Sequence, residues 1–314
     1  MNAHRIALSS GEPFIREDFF NILSLTQDYR FAKIINTNGM LIKENEAKKL
    51  CGFDFDRICV TIDGSSSSMH DSLRGEGSFQ KSIQGIVNLQ KYRLPVSTLY
   101  TLTNDNVEDL INTIKLNEAL GIEYMSVMVV CPTGRASDGK GLLTPSVWYP
   151  LFLRLTEMKL NKEIKLNFKI VPPNESRVFW LFYYPLKYYN KLDLLPVWNQ
   201  NIAGIDTDRD VSCQAGKTAC SIAHNGDVYG CDLMMGIHEF KAGNVRILQI
   251  EDIWENSKVF SALRNLQFSD IKGKCSSCKN MWCGAGCRSS AFNLAGNIFG
   301  SDDSCFEDGD FFEH

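Results

Sequence analysis

The distribution of cysteine restricts the fold of this 314-residue sequence more than any other feature. Only Cys51, Cys59 and Cys131 precede residue 213, whereas the other eight of the eleven cysteines lie between residues 213 and 305. The first residues have no signal-peptide pattern, and no apolar run approaches the roughly 18 residues of a membrane span. We therefore expect a cytoplasmic protein. In a reducing compartment, clustered thiols more often bind metal than form disulfides.

The order of the eight C-terminal cysteines indicates two metal sites. Eight thiols are enough for two four-cysteine sites, and the spacing Cys275-x2-Cys278 lets two thiolates converge on one metal. Spacing alone does not distinguish zinc from iron–sulfur clusters. The three earlier cysteines lie in or beside apolar segments, and we expect them to be ordinary buried thiols.

Composition narrows the class of protein. The chain is 44% hydrophobic and 22% charged, which excludes a disordered or collagen-like chain. The 33 Lys and Arg residues against 37 Asp and Glu residues give a net charge of −4, so the overall charge does not indicate nucleic acid or an anionic membrane as a partner.

Residues 1–171 alternate short β-branched segments with helix-period segments, a pattern that predicts consecutive βα units and a parallel sheet. The predicted strands are Arg5–Ser9, Phe31–Asn36, Arg57–Asp63, Pro95–Leu102 and Glu123–Val130. The predicted helices are Arg16–Thr26, Lys43–Leu50, Ser78–Tyr92 and Asn106–Leu120, the last with Asn104 or Asp105 as its N-cap. Periodicity does not decide whether the sheet is open or curled into a partial barrel.

The rest of the chain divides into two further regions. Residues 172–205 include an aromatic run at 178–189, which predicts a buried bridging segment, with an aromatic wall over a substrate channel as the alternative. Residues 206–314 are rich in Gly and Cys and weakly periodic, so we expect no large core there. Metal binding is the usual way to stabilise such a region.

The cysteine-rich region resembles the SPASM domain of radical S-adenosylmethionine (SAM) enzymes. The similarity lies in the order of seven cysteines, in NGDVYGCD at 225–232 and in WCGAGC at 282–287, although the interval from Cys278 to Cys283 is one residue shorter than usual. The resemblance implies two auxiliary [4Fe–4S] clusters. The implied ligands of the first are Cys213, Cys231 and Cys287, with Cys220 as a fourth, and those of the second are Cys275, Cys278, Cys283 and Cys305.

The first region resembles the partial (β/α)6 barrel of the same superfamily. The similar motifs, each just after a predicted strand, are SGEPF at 10–14, TNG at 37–39, TIDG at 61–64 and CPTGRA at 131–136. Ligands of parallel β/α folds bind at these carboxyl ends of strands. The resemblance implies SAM contacts at Gly11, Glu12, Pro13, Asn38, Thr61, Arg74 and Pro132. The plainer alternative is that the glycines only form turns and that His70, Asp71 and Arg74 belong to a solvated loop.

One defining motif of this superfamily is absent from the 314 residues. No Cys-x3-Cys-x2-Cys loop, which holds a cluster with one open iron, occurs anywhere in the sequence. Because the first predicted strand corresponds to the family's second, the first βα unit is expected to be missing from the barrel. The chain is either an N-terminally incomplete copy or a degenerate homologue, and the retained later motifs favour the first. In both cases, we expect no SAM cleavage by the chain as given.

The resemblance implies a function for the intact enzyme. SAM would be cleaved reductively to a radical that oxidises a peptide or protein, with auxiliary clusters as electron acceptors and flavodoxin or ferredoxin as reductant. An Asp matching Asp232 is proposed in sulfatase-maturase-like relatives to take the substrate's proton; the alternative is that Asp232 only caps a turn. Two other classes stay open, namely a non-catalytic iron–sulfur electron carrier or scaffold and a zinc-binding module.

Overall fold

The computed structural model of the chain describes residues 3–9, 11–171, 179–198, 211–278, 283–302 and 304–306. These residues form two compact units. The first comprises Met1–Val129 with Lys162–Val171, and the second comprises Val130–Asn161 with Pro172–His314. The domain boundaries expected after residues 171 and 205 stay predictions, since residues 172–178 and 199–210 lie outside the described part of the chain.

A parallel sheet of six strands is the framework of the first unit, and it confirms the predicted α/β fold. The strands pair in chain order, each with the next. They are β1 (Arg5–Leu8), β2 (Ala32–Thr37), β3 (Arg57–Thr61), β4 (Val96–Leu102), β5 (Tyr124–Val129) and β6 (Asn167–Val171). All five predicted strands are confirmed, and β6 is an additional one.

Burial explains why these segments form strands. In β3, Ile58, Cys59 and Val60 are consecutive and all buried, which is typical of a parallel strand covered on both faces. The register sets Thr61, the last residue of β3, opposite Leu99 of β4. The polar residues that follow β1, β2 and β3 therefore emerge at one edge of the sheet, where parallel strands end together.

Five helices accompany the strands among the described residues of the first unit. They are α1 (Phe19–Leu25), α2 (Glu44–Leu50), α3 (Ser67–Arg74), α4 (Ser78–Lys91) and α5 (Leu110–Ala119). The solvated-loop alternative for His70, Asp71 and Arg74 is wrong, because these residues lie on α3 and His70 is buried. Ser66 caps α3 by accepting a hydrogen bond from the N–H of Met69.

The predicted N-cap at Asn104 or Asp105 is also wrong. The helical region begins with a 3-10 turn at Val107–Asp109, whose N-cap is Asn106. The Asn106 side chain accepts from the N–H of Thr103 (2.8 Å) and donates to the carbonyl of Thr101 (2.9 Å). The buried Asn106 amide therefore fixes the turn one residue later than the sequence indicates.

The second unit is helical with a small antiparallel sheet. Its helices are α6 (Pro145–Leu160), α7 (Tyr184–Tyr188), α8 (Ile250–Asn256), α9 (Lys258–Arg264), α10 (Lys274–Ser277) and α11 (Arg288–Ala295), and its strands are β7 (Ser221–Ile222), β8 (Asp227–Tyr229) and β9 (Gly243–Asn244). No large core was expected in this region, and the structure shows a small one. A buried cluster forms around Val228, Met234, Phe240, Phe260 and Leu263.

In the described part of the aromatic segment, Trp180, Phe182 and Tyr184 are buried, whereas Tyr188 is exposed, and the bridging role stays a prediction. Trp198 stacks on Phe152 of α6 with ring centroids 5.0 Å apart, and its indole N–H donates to the hydroxyl of Thr156. The indole N–H of Trp148 donates to the carbonyl of Leu181. These contacts pack the segment against α6.

No helix of the described residues has the length and apolarity to cross a membrane.

Candidate functional site

Glu12 joins two of the predicted SAM-binding motifs. Its carboxylate accepts hydrogen bonds from the hydroxyl of Thr37 (2.8 Å), the N–H of Asn38 (2.7 Å) and the N–H of Phe14 (3.2 Å). The residues that follow β1 and β2 are thereby held together at the carboxyl edge of the sheet. Gly11, Glu12, Pro13 and Asn38 consequently form one compact group.

The turn that carries Asn38 is held from the other side by α4. The hydroxyl of Ser82 donates to the carbonyl of Asn38 at 2.6 Å. A Cβ on Gly85 would collide with the carbonyl oxygen of Gly39, and Gly39 itself has φ of +75°. Only glycine at both positions permits this close approach of helix and turn.

Arg74 is fixed by an ion pair with a buried carboxylate. Its guanidinium forms a salt bridge with Asp63, whose side chain is 1% exposed, and also donates to the hydroxyl of Thr101 (3.1 Å). Nδ1 of His70 accepts from the N–H of Asp63 at 3.0 Å, and burial lowers the pKa of His70. Arg74 thus lies near the carboxyl ends of β3 and β4, with Thr61 at the end of β3.

Pro132 differs from the other predicted SAM contacts. It is buried and belongs to the second compact unit, whereas the other six belong to the first. Its contact with SAM stays a prediction based on the resemblance.

Four of the predicted cluster ligands line a single cavity of about 270 Å³ in the second unit. They are Cys275, Cys278, Cys283 and Cys305, which is the complete set implied for the second cluster. The remaining lining includes Trp180, Phe268 and Lys274. Four thiols around one cavity with an aromatic wall are the donor set and the enclosure that an iron–sulfur cluster requires. The residues present therefore fit this group.

Three of the four predicted ligands of the first cluster lie close together. Burial raises the pKa of Cys213 and Cys231, and the neighbouring Cys287 raises both further. Cys287 is itself buried at the N-cap of α11. The pKa of Cys220 is raised by burial alone, and its side chain packs against the same hydrophobic cluster as Cys213 and Cys231. Metal binding at these buried thiols would release protons.

The three cysteines before residue 213 differ in exposure. Cys59 and Cys131 are buried, as predicted, but Cys51 is exposed, so the expectation of burial is wrong for that residue. Within the described ranges, no three His, Cys, Asp or Glu side chains are grouped so that they could hold one metal ion.

Asp232 begins the 3-10 turn that follows Cys231. It is exposed, and its carboxylate accepts from the N–H of Leu233 at 3.1 Å. Burial is the main cause of the raised pKa of Cys231, and the carboxylate of Asp232 adds to it. The side chain is thus placed beside a predicted ligand, and its local hydrogen bond is also what the capping alternative requires.

Two residues of the cysteine region were missed by the sequence analysis. Asp302 is buried, and its carboxylate accepts from the N–H of Cys287 at 2.7 Å. Arg288 is buried as well and follows Cys287 directly. Its position directly after the predicted ligand Cys287 is the only feature of the sequence that could have identified it.

Comparisons with known proteins agree with this placement of motifs. Residues 1–116 match the model of the Radical SAM superfamily, and residues 213–279 match that of SPASM, an iron–sulfur cluster-binding domain. The AdoMet-dependent heme synthase of Methanosarcina barkeri is 28% identical over 96% of this chain and 81% of its own length. The mycofactocin maturase MftC of Mycobacterium tuberculosis is 26% identical over 98% of this chain and 72% of its own length.

A solved structure shows the same fold. Streptococcus suis SuiB bound to its precursor peptide SuiA has a TM-score of 0.72 at 18% sequence identity. The match covers 96% of this chain and 65% of SuiB, so the chain spans about two thirds of that protein's length.

Proposed function

We propose that this chain, which combines a radical SAM region with a C-terminal SPASM region, takes part in the oxidative modification of a peptide or protein and holds two [4Fe–4S] clusters. One observation carries the proposal: the four cysteines implied for one cluster all line the same cavity. The grouping of Cys213, Cys231 and Cys287 supports a second cluster, with Cys220 as its fourth ligand.

At these sites the protein would ligate the clusters and limit the access of water to them. Bound clusters would supply centres that accept single electrons. The cysteine thiols would ligate them, and Trp180 and Phe268 would limit the access of water to the second one. With four cysteine ligands each, both clusters would serve electron transfer rather than direct binding of the substrate.

The SAM site would lie at the carboxyl edge of the parallel sheet. Gly11, Glu12, Pro13 and Asn38 would contact the amino group of SAM, and Thr61 and Arg74 its ribose and carboxylate. The hydrogen bonds of Glu12 to Thr37 and Asn38 orient its carboxylate for this role. Because no Cys-x3-Cys-x2-Cys motif occurs in these 314 residues, we propose that they do not cleave SAM reductively by themselves. A non-catalytic electron carrier or scaffold is the alternative.

A peptide substrate is supported by the maturase relative and by the fold shared with SuiB. The proposal also includes flavodoxin or ferredoxin as the reductant and a cytoplasmic location, where a reducing environment keeps the thiols available for cluster assembly.

We further propose that Asp232 removes a proton from the substrate as it is oxidised. Its carboxylate is exposed beside Cys231, so proton removal and electron transfer to the first cluster would occur at neighbouring groups. In a form of the protein that cleaves SAM, Asp232→Asn should retain both clusters and 5′-deoxyadenosine formation but lower product yield by about a hundredfold or more. Unchanged product yield, or loss of the first cluster, would instead make Asp232 a structural residue.

A second candidate function is the formation of heme. It is favoured by the heme synthase of Methanosarcina barkeri, which is as similar to this chain as the maturase and is covered over a larger share of its length. The substrate would then be a tetrapyrrole instead of a peptide.

Substrate binding to the cluster-loaded chain distinguishes the two functions. We expect selection from a displayed peptide library to enrich a shared peptide sequence, and titration with an iron porphyrin to give no saturable shift of its Soret band. A saturable Soret shift without peptide enrichment would reject the peptide function in favour of heme formation. The metal-free chain serves as the control for non-specific binding in both experiments.

A further inference from the structure

Asp63 is a buried carboxylate at the carboxyl edge of the parallel sheet, and it is not one of the predicted SAM contacts. It lies just after Thr61, the last residue of β3, and its side chain is 1% exposed. Burial of a carboxylate is unfavourable unless its charge is paired and hydrogen-bonded. The partners of Asp63 therefore explain why a charge is placed there.

The carboxylate of Asp63 binds groups from two different elements. Its Oδ1 accepts from the backbone N–H of Thr101 in β4 at 2.6 Å, and its Oδ2 forms the salt bridge with Nε of Arg74. Among the described residues, this is the only salt bridge of Asp63. One carboxylate therefore ties the last residue of α3 to the end of β4.

Of the two partners in this salt bridge, Asp63 is the fixed one. Its backbone N–H donates to Nδ1 of His70 (3.0 Å), and its carbonyl accepts from the side-chain amide of Asn106 (3.2 Å). Both of these side chains are buried, whereas Arg74 is exposed. The position of the flexible arginine side chain is therefore set by the buried carboxylate, and not the reverse.

The surrounding charges leave Asp63 and Arg74 as a one-to-one pair. Two other carboxylates, Asp71 and Asp109, belong to the same electrostatic surroundings. Asp71 accepts from N–H groups at the start of α4, and Asp109 accepts from the N–H and the hydroxyl of Ser65. His70 adds no positive charge, because its Nδ1 accepts a hydrogen bond and burial lowers its pKa.

This pairing leaves one edge of the Arg74 guanidinium open. Nε donates to Asp63 and Nη2 donates to the hydroxyl of Thr101 (3.1 Å), whereas Nη1 donates to no described residue. The side chain is 36% exposed. A guanidinium edge with two N–H groups matches the two oxygens of a carboxylate. The open edge is therefore suited to a ligand carboxylate, while the other edge stays bound to the protein.

We infer that Asp63 is a positioning residue, which holds the open edge of Arg74 toward the carboxylate of SAM and so makes the site select ligands that carry a carboxylate. This inference rests on the proposed function, in which Arg74 contacts SAM. An arginine that is already held in place loses less conformational freedom when the ligand binds, so more of the interaction energy appears as affinity. Asp63 needs no contact with SAM for this role.

The experiment compares SAM with decarboxylated SAM, which lacks only the carboxylate. The affinities of both ligands for the anaerobically reconstituted chain are measured by isothermal titration calorimetry. The variants are Arg74→Gln and Asp63→Asn, whose amide cannot accept from both Thr101 and Arg74. Asp109→Asn is the matched control, since this carboxylate lies near the same sheet edge but binds Ser65.

We expect wild type to bind SAM about tenfold or more tightly than decarboxylated SAM, as is typical of a hydrogen bond between charged groups. Arg74→Gln and Asp63→Asn should each reduce this preference by about fivefold or more, through weaker binding of SAM alone. The double variant should resemble Arg74→Gln, because Asp63 acts through Arg74. Asp109→Asn should keep the wild-type preference.

A second variant covers the case that Asp63→Asn does not fold, which circular dichroism detects. Thr101→Val keeps the charge of Asp63 but removes the hydroxyl that accepts from Arg74. We expect it to reduce the preference for SAM by about threefold. A wild-type preference in Thr101→Val would then overturn the inference.

Three outcomes in folded Asp63→Asn would overturn the inference while leaving the proposed function intact: an unchanged preference for SAM, an increased preference, or an equal loss of affinity for both ligands. An increase would mean that Asp63 competes with the ligand for the guanidinium, and an equal loss would mean that Asp63 only supports the fold. A wild-type chain that binds neither ligand, or that shows no preference for SAM, would reject the proposed SAM site and the inference with it.

Discussion

The backbone N–H of Cys287 donates a 2.7 Å hydrogen bond to the carboxylate of Asp302, a residue that is itself buried. The backbone carbonyl of Asp302 accepts from the N–H of Cys305 at 3.1 Å. One residue therefore positions a predicted ligand of each cluster. Gly286, with φ of +75°, allows this approach, because a Cβ there would lie 2.5 Å from the Cβ of Asp302.

Replacement of the Asp302 side chain should weaken the first cluster site, because the backbone carbonyl that accepts from Cys305 is retained. We expect Asp302→Ala to retain iron about 10- to 100-fold less well against a chelator, the cost typical of removing a residue that orients metal ligands. Asp302→Asn should have a smaller effect, since its amide oxygen still accepts from Cys287. Visible absorbance measures the release of iron, and Asp252→Ala, at an exposed carboxylate, is the control. Equal retention by Asp302→Ala and the control would show that Asp302 does not position the ligands.

Loss of the Glu12 carboxylate should loosen the predicted SAM site. In Glu12→Ala, the N–H of Asn38 loses its charged acceptor, so we expect the amides of residues 36–40 to exchange about tenfold faster or more. Hydrogen exchange by mass spectrometry measures this, and Glu108→Ala, at an exposed carboxylate, is the control. Unchanged exchange would contradict the role of Glu12 in joining the two motifs.

The carboxylate of Asp71 should make stability dependent on pH. It accepts from the N–H groups of Phe79 and Gly77 and from the hydroxyl of Ser78 at the start of α4. The hydrogen bond from Phe79 is the main cause that lowers the pKa of Asp71 below its ordinary value of 3.8. Because the folded pKa is depressed, this stabilisation is present above pH 3.8 and is lost as the pH falls through the folded value.

Asp71→Asn should therefore lower the denaturation temperature near pH 7 by about 2–4 °C, the effect of losing one helix cap. The difference from wild type should shrink below pH 3.8. Thermal unfolding followed by circular dichroism at both pH values checks this, and a difference that grows in acid would contradict the assigned role of the carboxylate.

The sequence predicts those parts of the fold that depend on local apolar pattern. Strands β1 to β5 follow from it, and the rule that parallel strands end together predicts the proximity of Glu12 and Asn38. Strand β6 is not among the predicted strands, although its buried Phe168 and Ile170 alternate with exposed residues, which is a strand pattern. Helix α3 was missed because its serine-rich sequence buries only His70.

Other features depend on contacts between distant residues, which spacing does not reveal. The carboxylate of Asp302 lies 15 residues from the N–H that it accepts from, and the burial of Arg288 results from carbonyls at 285, 298 and 300. The cavity lined by the four predicted ligands of the second cluster, in contrast, could be predicted from the sequence. The order of its four cysteines, compared with the SPASM domain, was enough to predict which thiols come together.

Whether these cysteines hold two iron–sulfur clusters can be decided by counting metal in the anaerobically reconstituted chain. Iron, sulfide and zinc are measured for wild type, Cys231→Ala, Cys278→Ala and, as control, the exposed Cys51→Ala. We predict about eight iron and eight sulfide per chain for wild type and control, and about four of each for either ligand variant. Two zinc ions per chain without iron-dependent visible absorbance, or the same iron content in all four proteins, would contradict the account.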